Sequence, residues 1–123
     1  MFLGHRLAAA LLLTLLPVAP GVTHHGWAWA TGEEFQLAGV ARQVRNGNPH
    51  GMMMLGTASG IWRVEIGQPW RNQRAGLTNE VLKPGAQLVV RGHRSTQRGE
   101  RLMKAERIII GGKSYNLYPD RPS

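Results

Sequence analysis

The sequence contains no cysteine, so it can form neither a disulfide nor a lipid-modified cysteine. Whatever holds the domain together is core packing and hydrogen bonding. Acidic residues are scarce, with 7 Asp and Glu against 15 Lys and Arg in 123 residues. They are scattered as Glu33-Glu34, Glu65, Glu80, Glu100, Glu106 and Asp120, at no spacing that suggests paired acid/base work. No G-x-S-x-G elbow and no phosphate-cradling glycine loop is present. These absences argue against an enzyme. The one long apolar run, Leu7 to Leu16, falls short of the roughly 20 residues a spanning helix needs.

That short run reads instead as part of a leader. "MFLGHRLAAALLLTLLPVAP" has Arg6 near its start, no acidic residue and two prolines at its exit, the layout of a secretory signal peptide. The expected division is a signal peptide over residues 1–23 and one domain over residues 24–123, delivered to the periplasm. Three cleavage points suit small residues. One leaves Val22-Thr23-His24 as the new terminus, one leaves His24 itself, and one follows Ala28-Trp29-Ala30 and discards both histidines. Losing Arg6 with the leader takes the formal charge from +8 to +7. A positive balance of this kind favours anionic partners, though it speaks first to solubility.

Beyond the leader, glycines punctuate short alternating runs. Residues 33–44, "EEFQLAGVARQV", change phase at Gly39, which predicts a bulge or sharp bend in one long strand. "RNGNPH" is turn chemistry. Residues 52–58 and 61–66 form the next two strands, with Trp62, Val64 and Ile66 on one face of the third and Arg63 and Glu65 on the other. Pro69 and Gly76 bracket a short helix. Residues 86–92 and 101–110 supply strands four and five, and residues 111–117 a short edge piece. Three strands, a helix and two strands, the first strand bent, is the order of a small five-stranded OB-like barrel, so the expected fold is mainly β.

Histidine carries the functional signal. Past the leader, His24 and His25 precede Trp27 and Trp29, and His50 closes the Asn-Pro-His turn. Neutral imidazole is the commonest protein metal ligand. A chain starting at His24 offers its amine and imidazole as one chelate, with His50 completing a three-nitrogen site. A chain starting at Val22 places His24 third, so that amine, two backbone amides and imidazole form the four-nitrogen square that Cu(II) favours. The competing reading is a solvated His-His pair with His50 serving the turn. Met52 and Met54 share a face beside His50. Their thioethers suit Cu(I), but methionine is also ordinary core filler. Trp27 and Trp29 are expected to clamp the N-terminal segment onto the barrel. Arg63, Arg91, Arg94, Arg98 and Arg101 supply charge for an anionic partner. Too few aromatics remain on the strands for nucleic-acid stacking.

At "HHGW", "NPHG", "RAGLTNEVLKPG" and "MKAERIIIGGKSY" the chain resembles the DUF6152 family of small exported bacterial proteins of unknown function. The family's His-His-x-aromatic start and Asn-Pro-His turn match His24, His25, Trp27, Asn48, Pro49 and His50, while Asn46-Gly47 stands where an aromatic is usual. The resemblance implies export and a compact β domain and brings no activity. The expected function is a non-enzymatic periplasmic metal-binding domain, with copper held by His24, His25 and His50. The alternative is a metal-free module that binds a protein or anionic partner through a basic barrel face.

Overall fold

The computed structural model describes residues 26–121. The elements run β1 (Phe35–Arg45), β2 (Met52–Thr57), β3 (Gly60–Glu65), α1 (Pro69–Arg74), β4 (Gln87–Arg94), β5 (Leu102–Ile110) and β6 (Lys113–Asn116). β1 pairs antiparallel with β2 through residues 40–45 and with β4 through residues 35–40. β2 pairs with β3, and β4 with β5, also antiparallel. A parallel pairing of β3 with β5, from Arg63↔Leu102 to Glu65↔Lys104, closes the ring. The result is the five-stranded OB-like barrel that the strand order predicts, with α1 between β3 and β4 and with β6 folded back onto β5. Closure gives β1, β2, β3 and β4 partners on both sides, which removes the unpaired edges an open sheet would present.

The long first strand serves both halves of the barrel because it bends where the sequence changes phase. Val40 is the hand-over residue, facing Gln87 on β4 and Gly56 on β2. The register shift lies slightly later than expected, between Ala41 and Gln43, so the bulge is at Arg42 and not at Gly39. Gly39 has a different physical role: a Cβ there would collide with the Gly56 carbonyl and the Leu55 side chain. The glycine marks close approach of two strands across the bend.

Alternation fills the interior. Met53, Leu55, Trp62, Val64, Ile66, Leu88, Val90, Met103, Ala105 and Ile108 are buried together, and Leu77, Leu82, Tyr115 and Leu117 extend this core beneath α1 and β6. α1 begins at Pro69, and the chain leaves it through Gly76 at φ +84°, as the proline and glycine signals indicate. Asn72 of α1 is fully buried and its amide donates to the Gly67 carbonyl at 2.8 Å and to Asn46 Oδ1 at 3.2 Å. The helix is thereby tied to the β1–β2 turn that carries His50.

One face assignment differs from the expected alternation. Glu65 lies on the outward face of β3, yet it is 1% exposed. Gly26, Trp27 and Tyr118 line the cavity with Glu65 on that face, so outward there does not mean towards water.

Candidate functional site

The segment just after the two N-terminal histidines is strapped to the barrel. Ala30 bridges Ser95, Thr31 N–H donates to the Arg94 carbonyl at 2.8 Å, and Thr96 N–H donates to the Trp29 carbonyl at 3.0 Å. Trp27 packs edge-on against His93 and Tyr118, with ring centroids 5.5 and 4.9 Å apart. The Arg121 guanidinium lies 3.8 Å from its ring centre and the Lys104 ammonium 4.8 Å. Two aromatic edges and two cations fix one indole, an arrangement favourable through both packing and the ring quadrupole. The clamp expected of the tryptophans is present, and its main anchor is Trp27.

Beneath the strap lies a cavity of about 240 Å³ lined by Gly26, Trp27, Pro49, His50, Glu65, Gln68, Lys104 and Tyr118. His50 reaches it because Gly51 is stitched to the end of β3. Gly51 N–H donates to the Gly67 carbonyl at 2.9 Å, and Ile66 N–H donates to the Gly51 carbonyl at 3.0 Å. The imidazole Nδ1 lies 3.1 Å from the Gly51 carbonyl, and Nε2 lies 3.7 Å from Glu65 Oε2. Glu65 and Lys104 are neighbours across the parallel β3–β5 pairing. Lys104 Nζ donates to Glu65 Oε1 and to the Gly26 carbonyl, each at 2.9 Å. One ammonium thus joins the N-terminal strap to the buried carboxylate. Burial pushes the Tyr118 phenol above its usual value. The Glu65 charge adds to that rise, while Arg71 and Arg121 oppose it.

A second buried carboxylate flanks the strap. Glu106 receives Arg121 Nε at 2.7 Å on Oε1, while His93 Nε2 stands 3.4 Å from its Oε2. Arg121 therefore bonds Glu106 and covers Trp27 at once. On the outer side of His50, a groove of about 610 Å³ is lined by Met52, Met54, Arg45 and Arg63, whereas Met53 points into the core. Of the arginines weighed for an anionic partner, Arg94 stacks over Phe35 and Trp62 at 5.3 and 5.4 Å and lines a further groove with Arg101.

His24 and His25 lie outside the described residues, and so does the proposed leader. Among the described residues no group of three His, Asp or Glu side chains is placed to hold a metal ion. Of the three histidines singled out from the sequence, His50 is thus the one described. The structure adds Glu65, Lys104 and Tyr118 to its surroundings. A signal for the first two was available: Glu65 in "IWRVEI" and Lys104 in "LMKAER" are opposite charges set inside strongly apolar strands.

A closed OB-type barrel, with a buried carboxylate–ammonium pair under an N-terminal strap, is the class of protein these features define. The model of DUF6152, a family of unknown function, matches residues 14–103, and the chain belongs to that family. No curated protein matches the sequence. Among solved structures, the fold is similar to part of TiaS, a tRNA agmatidine synthetase. The TiaS complex with its tRNA, AMPCPP and agmatine matches with a TM-score of 0.50 at 15% identity, over 63% of this chain and 18% of that one. A ZRD-deleted TiaS mutant with agmatine gives 0.48 at 15% identity, over 69% and 26%. The chain thus spans about a quarter or less of the TiaS length, and the likeness concerns the fold alone.

Proposed function

We propose that the protein is an exported, non-enzymatic barrel domain that binds a transition metal, copper in the first instance, through His24, His25 and His50. One arrangement supports this reading above the rest. Gly26, which directly follows His25, lines the same cavity as His50. The turn histidine therefore stands where the chain bearing the other two enters the fold. A ligand on a loose tail must be ordered on binding, at about 1–2 kcal/mol for each residue fixed. The Trp27 clamp and the Lys104–Gly26 bond fix Gly26 and Trp27, the residues that follow His25, and on this reading that lowers the cost. A calorimetric Cu(II) titration of the processed protein, compared with a form carrying an N-terminal tag, tests the reading. Tagging should weaken binding sharply, and equal binding by both forms contradicts a terminal donor set.

The stacked Arg94 and its groove favour a second reading, a metal-free module for an anionic or protein partner. On that reading Cu(II) gives no specific heat, and an acidic peptide or polyanion binds in a way that Arg94→Ala and Arg101→Ala weaken.

A further inference from the structure

We infer that the outer face of β1, β2 and β3 is a docking groove for an extended acidic peptide segment of a partner protein, with Arg45 and Arg63 on its walls and Met52 and Met54 on its floor. The inference goes beyond the metal-binding reading and depends on no histidine. It also concerns a different groove from the one that Arg94 lines.

Strand register builds the groove. Met52 pairs with Arg45 on β1 and with Glu65 on β3, and Met54 pairs with Gln43 and Arg63. Cross-strand partners share a face, so the two thioethers stand outward on the middle strand while Met53 and Leu55 fill the core. Arg45 and Arg63 are exposed on the flanking strands, and the groove between them measures about 610 Å³. Two strand spacings set its width at roughly 10 Å, room for one extended chain.

The charge of this face is unanswered. Among the described residues no carboxylate forms an ion pair with Arg42, Arg45, Arg63 or Arg101. Glu65, the one acidic residue of the three strands, is 1% exposed and already receives Lys104. Two of the guanidiniums continue the cationic line past the groove. The bulge turns Arg42 towards Gly56, where a Cβ would stand 2.7 Å from Arg42 Nε, and a Cβ on Gly60 would stand 3.0 Å from Arg101 Nη1. Each glycine thus leaves a guanidinium the space that its own side chain would fill.

The occupant follows from these features. The planar fork of arginine matches carboxylate geometry. Closure of the barrel leaves β1, β2 and β3 no free backbone edge, so recognition falls to side chains and not to strand addition. Single-stranded nucleic acid needs aromatic rings for its bases, and the outward apolar side chains here, Met52, Met54 and Ile61, include none. A membrane surface is flat and meets a concave floor poorly. Methionine, unbranched and polarizable, adapts to varied apolar side chains. In an extended acidic segment, alternate residues face the thioether floor and the carboxylates between them meet the arginines at the rim.

The test uses the protein expressed from its full chain and, as probe, a short fluorescein-labelled peptide alternating glutamate and leucine, read by fluorescence anisotropy. The peptide should bind, more weakly as salt rises, and a lysine–leucine counterpart should not. Arg45→Glu with Arg63→Glu, both at exposed positions, should bind it about tenfold or more weakly, whereas Arg94→Ala should stay within about twofold of the native chain. In the native protein the bound peptide should slow peroxide oxidation of Met52 and Met54, read by mass spectrometry, a result that needs no variant. Absence of peptide binding, equal binding by the double variant, or unprotected methionines overturns the inference. Tighter binding of an oligothymidine or of phosphatidylglycerol vesicles through the same arginines overturns it too, since the occupant is then a different one. Loss of binding in Arg94→Ala but not in the double variant overturns it in favour of the Arg94 groove. Cu(II) titration is read separately, so this inference and the metal-binding reading fail independently.

Discussion

The ammonium of Lys104 sits 2.9 Å from Glu65 Oε1, with both side chains almost wholly out of water. The parallel pairing that closes the barrel sets the two residues side by side. A buried pair of this kind gains little over apolar neighbours, yet breaking it by removing one partner strands a charge, at about 3–5 kcal/mol. Lys104→Met should therefore lower unfolding stability by about 3–5 kcal/mol in urea. Combining it with Glu65→Gln should recover much of that loss. A loss in the double variant equal to the sum of the two single-variant losses would show that the pair is not coupled.

Trp27 is the anchor of the N-terminal strap, and its removal should loosen the strap without melting the barrel. Trp27→Ala takes away the ring that Arg121, Lys104, His93 and Tyr118 all touch. Hydrogen exchange should speed up at Ala30, Thr31 and Thr96, while the strands stay protected. Faster exchange throughout β1 to β5 would mean that the tryptophan supports the fold as a whole.

Much of the fold was legible in the sequence because it depends on local signals. Trp62, Val64 and Ile66 alternate as a half-buried strand must, and Pro69 and Gly76 punctuate one short helix. The position of the bulge was not legible, since Gly39 carries the conspicuous signal but relieves a contact with Gly56 from another strand. The burial of Glu65 was hidden for a related reason. Alternation says which side of a strand a residue occupies, whereas what covers that side is decided by segments far away in sequence, here Gly26 and Tyr118. His50 was legible as a candidate from its place in the Asn-Pro-His turn, but its neighbours Glu65 and Lys104 come together only when β3 meets β5.

The half-buried Tyr118 phenol gives the fold an alkaline sensitivity. Its proton is held more tightly in the folded state than in the unfolded one, because burial disfavours the phenolate. The sign follows: this contribution is complete below the unfolded value of 10.0 and is lost as pH rises from there through the folded value. Native stability should decline above about pH 10 more steeply than that of Tyr118→Phe. Parallel curves for the two proteins would show that the phenol stays exposed to water.

On the proposed reading, processing on export decides which donors exist, so the terminus itself is a prediction. Produced with residues 1–25 intact in an exporting bacterial host, the chain should appear in the periplasm, beginning at Val22 or His24. Intact mass and N-terminal sequencing distinguish the two. Cleavage after Ala30 would remove both histidines and with them the proposed metal site.

The central claim is that His24, His25 and His50 act together on one metal ion beneath the Trp27 strap. A Cu(II) competition titration of the processed native protein against His24→Ala with His25→Ala, and against His50→Ala, tests it most directly. The native protein should take up one Cu(II), bind it less well as pH falls because protonated imidazole cannot coordinate, and lose affinity in both variants. If both variants bind Cu(II) as the native protein does, the histidines are not its ligands and the claim is contradicted.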